Sequence, residues 1–82
     1  MKNPNIFYGT FMQRQAFKNN FVTLIAKNRE LARQAMFEHF GDKFFTVYST
    51  DEFVDVPEQY GLTPLCEIRV VDDGSSIQYF LL

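Results

Sequence analysis

Residues 28–49, NRELARQAMFEHFGDKFFTVYS, carry the clearest helix and strand signals of this chain. Asn28 is a favourable N-cap, because its side chain can accept a hydrogen bond from a free backbone N–H of the first turn, and Gly41 is a typical residue to end a helix. From position 44 apolar residues alternate with others, which is typical of a strand. Between the two caps, side chains at helical spacing form one apolar arc, comprising Leu31, Ala32, Ala35, Met36 and His39, with Phe40 at its edge.

Phe37 is the residue of this predicted helix that departs from the pattern. On a helical wheel it falls roughly 150° from the middle of the apolar arc, next to Glu30 and Arg33. It should therefore point away from the core, and exposed aromatic rings are enriched in protein-binding contacts. The alternative is that neighbouring residues cover the ring, or that Phe37 and Phe40 share the boundary of the core. Phe37, Arg33 and Glu30 are therefore candidate partner-binding residues.

The rest of the chain predicts more strands than helices. Ser49 and Glu52 match a capping box, which predicts a short helical turn, and Pro57 can open a further turn that Gly61 ends. A tight turn at residues 72–75 predicts a hairpin at the end of the chain. The strands themselves are predicted at residues 5–12, 21–26, 44–49, 65–71 and 76–82.

The order of these elements is β-β-α-β-short helix-β-β. It predicts an α+β fold, in which one main helix packs on one face of an antiparallel sheet of about four to five strands. The 82 residues are enough for one compact domain, so a single domain is expected over residues 1–82. The first two strands are expected to form a hairpin, and the nearly apolar second strand is expected to be central.

Composition limits the class of protein. Fourteen of the 82 residues are aromatic, ten of them Phe, so the chain is expected to fold around a packed core. Cys66 is the only cysteine, which excludes a disulfide within the chain and favours a reducing compartment. We find neither a signal-peptide pattern at the N-terminus nor an apolar run long enough to span a membrane. A soluble, cytoplasmic protein without membrane contact is expected.

Charge is divided unevenly along the chain. Residues 1–40 carry six basic groups against two acidic ones, whereas residues 41–82 carry two basic groups against eight acidic ones. Such an asymmetry bears on partners and on association rates. The acids that follow the third strand are candidates to contact a basic partner protein, although a simple solvated face is the alternative. These acids are Asp51, Glu52, Asp55 and Glu58.

The sequence predicts neither a catalytic centre nor a cofactor. Zinc sites require several His or Cys ligands, and this chain has one of each, His39 and Cys66. Nucleophilic catalysis would need these two side chains to be adjacent, whereas Cys66 is predicted to be a buried strand residue. We find no glycine-rich phosphate loop, and no spacing singles out a pair of carboxylates. The chain is therefore expected not to be an enzyme, and no metal or cofactor is expected.

The tip of the first hairpin, QRQAFKNN at residues 13–20, is a candidate nucleic-acid contact. Arg14 and Lys18 could reach phosphates, and Phe17 could stack on a base. Three phosphate contacts would give a salt slope of only about −2.7, which implies weak binding. We therefore rank nucleic acid below a protein as partner.

The middle of the chain, ARQAMFEHFGDKFFTVYSTDEF…EQYGL over residues 32–62, resembles small uncharacterised proteins encoded by bacteriophages and prophages. Those proteins share a helix of the type A-R-x-x-M-F-x-x-F-G that runs into an aromatic strand, followed by an acidic E-F…Y-G-L segment. Small phage α+β proteins include anti-CRISPR inhibitors, which commonly block a host nuclease complex without catalysis. The resemblance implies a candidate role of this kind and transfers no functional residue.

The sequence thus favours a non-enzymatic phage or mobile-element protein, located in the host cytoplasm. It would bind and inhibit a host protein complex, such as a defence nuclease complex, through its acidic and aromatic surface. One alternative is a small nucleic-acid-associated accessory protein that uses the hairpin tip. The other is a self-associating structural protein, in which the basic part of one copy meets the acidic part of another.

Overall fold

A computed structural model describes residues 5–12, 16–72 and 74–81. It confirms the predicted α+β class, with one main helix, two short helices and a sheet of five strands. The helices are α1 (Arg29–Phe40), α2 (Thr50–Phe53) and α3 (Val56–Tyr60), and a 3-10 turn, Gly41–Lys43, follows α1. The strands are β1 (Ile6–Phe11), β2 (Asn20–Ile25), β3 (Phe44–Ser49), β4 (Thr63–Asp72) and β5 (Ile77–Leu81).

The sheet has the strand order β3-β1-β2-β4-β5, with β2 in the centre as predicted. The β1–β2, β1–β3 and β4–β5 pairs are antiparallel, whereas β2 and β4 run parallel, so the sheet is mixed and not wholly antiparallel. The reason lies in the segment that contains α2 and α3, which carries the chain back to the starting end of β2. There the N–H of Thr63 donates to the carbonyl of Asn19 at 3.0 Å, and β4 begins beside Asn20.

Helix α1 begins and ends as its sequence predicts. The Oδ1 of Asn28 accepts a hydrogen bond of 2.9 Å from the N–H of Leu31, which satisfies one donor of the first turn. Gly41 adopts a φ of 63°, and its N–H donates to the carbonyl of Phe37. Because φ is positive there, a residue with a side chain would strain the backbone. These caps fix both the length and the position of α1.

One face of the sheet packs against α1 and forms the core of the protein; we call it the α1 face. Gly9 of β1 lies directly under Met36, and a Cβ added at Gly9 would come within 2.5 Å of the Met36 Cε. The missing side chain therefore lets the helix approach the strand closely. The largest side chains that are fully shielded from solvent in this core are those of Leu24, Met36, Ile68 and Val22.

The last turn of α1 differs from the prediction. His39 was expected on the apolar arc, but it is exposed, whereas Phe40 packs edge-on against Phe11 with ring centroids 4.9 Å apart. Phe17 also contacts Phe40, at 6.1 Å. The rings of Phe11 and Phe17 provide the apolar contact for this turn, and they lie on the side of Phe40, so His39 is left in solvent.

The opposite face of the sheet, here called the second face, is covered in part by α2 and α3. The predicted capping box is present: the Ser49 side chain accepts from the N–H of Glu52, and the Glu52 carboxylate accepts from the N–H of Ser49. The box fixes the start of α2 and places Phe53 on the sheet. Phe53 stacks on Tyr8, with ring centroids 4.4 Å apart and planes 8° apart, and also meets Phe21 edge-on.

The β4–β5 hairpin closes the sheet on the side away from β3. Gly74 has a φ of 93° in its turn, and its N–H donates to the Asp72 carboxylate at 3.0 Å, as the turn prediction requires. Asp73, part of that prediction, lies outside the described residues. Across the described ranges, none of the helices has both the length and the apolar character needed to cross a membrane.

Candidate functional site

The exposed side of α1 carries the residues that the sequence singles out. Phe37 is 62% exposed, which confirms that its ring points away from the core. Arg29, Arg33 and Phe37 are spaced four residues apart and therefore form one row along the helix, which we call the α1 ridge. Glu30 is also exposed, one residue after the start of that row. The ridge thus combines two cations with one aromatic ring.

An aromatic residue of β3 extends the ridge sideways. The guanidinium carbon of Arg33 lies 5.6 Å from the centre of the Phe44 ring, the geometry of a cation–π contact. The contact holds the Arg33 side chain along the β3 edge of the helix, and Phe44 itself is half-buried. The sequence did not single out Phe44, because its pairing with Arg33 depends on how α1 crosses the sheet.

The surface around the ridge is broad and open. An open depression of about 380 Å³ is lined by residues that run from Phe44, across Phe37 and Glu38, to Tyr79 of β5. Since β3 and β5 form opposite edges of the sheet, this surface spans the outside of α1 and is not a closed pocket. Such a shape suits a protein partner better than a small molecule, which binds in concave sites.

An ion pair joins the ridge to the acidic segment. The guanidinium of Arg29 lies 2.8 Å from the carboxylate of Glu52, with both side chains about half exposed. The pKa of Glu52 is lowered, first because the backbone N–H of Ser49 donates to its carboxylate and further because Arg29 attracts its charge. Two parts of the predicted partner-binding set, one on α1 and one on α2, are therefore in direct contact.

The other predicted acids are placed differently. Asp51 is exposed on α2, next to Glu52 and hence close to the ridge. Asp55 and Glu58 are also exposed, but they lie at the start of α3, which covers the second face. The structure thus brings Asp51 and Glu52 to the α1 ridge and leaves Asp55 and Glu58 further round the molecule.

The predicted nucleic-acid contact at the hairpin tip is only partly described. Arg14 lies outside the described residues. Phe17 is half-buried and packs against Phe11 at 5.4 Å as well as against Phe40, so its ring belongs to the edge of the core. Lys18 is exposed. Within the described part of the tip, Lys18 is therefore the residue best placed to meet a phosphate.

His39 and Cys66, the two residues considered for catalysis, have the following surroundings in the structure. The Nδ1 of His39 lies 3.1 Å from the carbonyl oxygen of Ala35, and its ring meets Tyr79 edge-on at 5.7 Å. Burial raises the pKa of the Cys66 thiol, which favours the protonated, less nucleophilic form. Burial and the Glu38 carboxylate raise the pKa of Tyr79. Among residues 5–12, 16–72 and 74–81, no group of His, Cys, Asp and Glu side chains is arranged to hold a metal ion.

Comparison with known proteins adds no relative: no protein-family model, no curated protein and no solved structure matches this chain significantly.

Proposed function

We propose that this chain is a non-catalytic binding protein that engages a partner protein through the α1 ridge. The observation that carries the proposal is the exposure of Phe37 on a helix whose other apolar residues are buried or, in the case of Phe40, half-buried. Phe37 lies beside Arg33 and Phe44, which are held together by their cation–π contact. Aromatic rings and arginines of this kind dominate the binding energy of protein interfaces.

The charges around the ridge support a basic partner. Exposed acids border it on both sides, with Glu30 and Glu38 on α1 and with Asp51 and Glu52 on α2. They outnumber the two cations of the ridge, and one of those, Arg29, is paired with Glu52. Carboxylates arranged in this way attract a basic protein surface and speed its association. Binding should therefore weaken as the salt concentration rises.

The resemblance of residues 32–62 to small phage proteins ranks a host protein complex first among the partners. An inhibitor of that kind would act in the host cytoplasm by occupying a basic surface of its target, such as the groove of a defence nuclease complex that normally holds nucleic acid. This role requires tight binding and no catalysis, and the α1 ridge with its acidic border is of a type that can provide it.

The test is capture of bacterial host proteins by the immobilised chain, with two variants compared with the wild type. Phe37→Ala removes the ring of the ridge. Phe45→Ala is the matched control, because Phe45 is also 62% exposed but follows Phe44 in β3, so its side chain points to the other side of the sheet. We expect proteins that bind the wild type and Phe45→Ala, are lost with Phe37→Ala, and are released by salt.

Two results would contradict the proposal. One is capture that is the same for wild type and Phe37→Ala. The other is a loss of several kcal/mol in the stability of Phe37→Ala, because the ring would then belong to the core. Affinity that does not change with salt would leave the contact at Phe37 in place but would remove the role assigned to the acids.

One observation favours a second candidate, self-association. Strand β5 pairs with β4 alone among the described strands, and its sequence IQYFL contains neither a charge nor a proline. Leu81 is 64% exposed there, and Phe80 is also exposed. Uncharged edge strands readily pair with another chain. If β5 pairs with β5 of a second copy, the wild type is dimeric in solution and Gln78→Lys, which places a charge on this edge, is monomeric; a monomeric wild type excludes this candidate.

A further inference from the structure

A cavity on the second face has the features of a small-ligand site. It lies between the end of β1, the start of β3 and helix α3, and its volume is about 330 Å³. Most of the residues that line it are aromatic or aliphatic, polar atoms make up more than half of its exposed wall, and Lys18 is the single cation among the described lining residues. The residues that carry the argument are Thr10, Lys18, Phe45, Tyr48, Tyr60 and Leu62.

The hydroxyl group of Thr10 is the most informative feature of this cavity. Thr10 is only 7% exposed, and its Oγ1 has no hydrogen-bond partner within the part of the chain that the structure describes. A buried hydroxyl without a partner costs about as much free energy as a lost hydrogen bond, and most buried polar groups in proteins therefore have one. Thr10 lines the cavity, but its Oγ1 is almost fully covered, so a bound molecule can provide the missing partner only by displacing a neighbouring side chain.

The size and the walls of the cavity indicate what kind of molecule fits. Ligand pockets start at about 300 Å³, and an apolar cavity of about 150 Å³ is enough to hold benzene. The volume here therefore suits one substituted ring. Rings of Phe45, Tyr48 and Tyr60 line the space, and aromatic side chains bind a flat ring by stacked or edge-on contacts.

The charge at the rim defines the polar group of the ligand. Lys18 is the only charged residue among the described residues that line the cavity, and it is exposed at the hairpin tip. A ligand with a carboxylate near Lys18 gains an ion pair, whereas a cationic ligand is repelled. The second polar group of the ligand would lie beside Thr10, whose hydroxyl group is buried.

From these features we infer that the cavity binds a single-ring aromatic carboxylate that carries a hydroxyl group on its ring. The ring lies among Phe45, Tyr48 and Tyr60, the carboxylate pairs with Lys18, and the ring hydroxyl exchanges a hydrogen bond with Thr10 Oγ1. This site is separate from the partner surface proposed above, because Phe44 contacts Arg33 on one side of β3 while Phe45 lines the cavity on the other.

The test uses three related probes in titrations followed by amide chemical shifts of the full chain. 4-Hydroxybenzoate carries both polar groups, benzoate lacks the ring hydroxyl, and 4-hydroxybenzamide lacks the charge. We expect 4-hydroxybenzoate to bind most tightly, with the largest shifts at Thr10, Phe45, Tyr60 and Leu62. Benzoate lacks one hydrogen bond, which should lower its affinity by about 3- to 10-fold. The amide lacks one exposed ion pair, which should lower its affinity by about 2- to 5-fold.

Paired variants assign each polar contact to its residue. Thr10→Val should abolish the advantage of 4-hydroxybenzoate over benzoate, and Thr10→Ser, which keeps the hydroxyl, should restore it. Lys18→Gln should abolish the advantage over the amide. The matched controls are Thr23→Val, which lies on the same face in β2, and Lys27→Gln, an exposed lysine that does not line the cavity. Both should bind the probes as the wild type does.

The inference fails if 4-hydroxybenzoate shows no saturation up to about 10 mM, or if its shifts are spread over the surface. It also fails if Thr10→Val and Lys18→Gln bind the three probes in the same order of affinity as the wild type, since binding would then be nonspecific. Phe37→Ala should leave probe binding unchanged and Phe45→Ala should weaken it, the reverse of what the partner surface predicts. Failure of one proposal is therefore distinguishable from failure of the other.

Discussion

The two faces of the sheet differ in how closely helices pack against them. On the α1 face, a twelve-residue helix lies so close to β1 that only a glycine fits beneath Met36. On the second face, two helices of four and five residues cover the strands in part, and they leave a cavity and a Thr10 hydroxyl that has no hydrogen-bond partner among the described residues. The difference suggests that the α1 face holds the fold together, while the second face can tolerate change and accept a ligand.

The largest effect should come from the core of the α1 face. Leu24→Ala removes a fully buried side chain and should lower the free energy of unfolding by about 2–5 kcal/mol, as measured by urea denaturation. Its control is Ile25→Ala, the next residue of β2, which is half-buried on the second face. The loss there should be clearly smaller, and equal losses at the two positions would contradict the contrast between the faces.

The close approach of α1 to β1 makes the next prediction. In Gly9→Ala the new Cβ would meet the Met36 side chain, with Cγ at 2.9 Å and Sδ at 2.6 Å. Because Met36 is fully buried and has little room to move, we expect a loss of about 1–3 kcal/mol from overpacking.

The control for Gly9→Ala is a double-mutant cycle with Met36→Ala. Removing the Met36 side chain creates space for the new methyl group, so the double variant should lose less stability than the sum of the two single losses. Additive losses would mean that the two positions do not share the contact on which the close packing of this face depends.

The second face should respond in the opposite direction. Thr10→Val replaces a buried hydroxyl that lacks a hydrogen-bond partner within residues 5–12, 16–72 and 74–81 with a methyl group, and the free energy of unfolding should rise by about 1 kcal/mol in the absence of ligand. Thr23→Val, at a half-buried position on the same face, should change it by less than about 0.5 kcal/mol. A loss of stability in Thr10→Val would show that the hydroxyl already has a partner.

The smallest effect should come from the Ser49–Glu52 capping box, where β3 ends and α2 begins. Because the folded-state pKa of Glu52 is lowered, its contribution to stability is present above the ordinary carboxyl pKa and is lost as the pH falls through the lowered value. Urea denaturation across this acidic range should therefore show a weaker pH dependence for Glu52→Gln than for the wild type. Glu58→Gln, at an exposed position of α3, is the control, and identical pH profiles for wild type and Glu52→Gln would contradict the prediction.

The parts of the fold that depend on neighbouring residues could be predicted from the sequence. Asn28, Gly41 and the Ser49–Glu52 capping box act within a few residues of chain, so their roles follow from local chemistry. The exposure of Phe37 follows from helical periodicity in the same way. The same features predict the part of the candidate site that lies on α1.

Contacts between distant segments could not be predicted in this way. The parallel pairing of β2 with β4 depends on where α2 and α3 return the chain, which no short motif encodes. In the last turn of α1, Phe40 packs on the core in place of His39 because it contacts rings from the first hairpin. The cavity at Thr10 is formed by β1, β3 and α3 together, so neither the hydroxyl nor its missing partner is visible in the sequence.

Whether the α1 ridge is the partner-binding surface can be decided by measuring the affinity of a captured host complex for the wild type, Phe37→Ala and Phe45→Ala. The two variants remove the same ring at equal exposure, so a nonspecific loss of apolar surface would affect both. We predict that Phe37→Ala weakens binding by more than about 10-fold, as expected for a hot-spot residue, while its stability changes by less than about 0.5 kcal/mol. We predict that Phe45→Ala binds as the wild type does. Equal affinity of Phe37→Ala and the wild type, or equal losses in the two variants, would contradict the account.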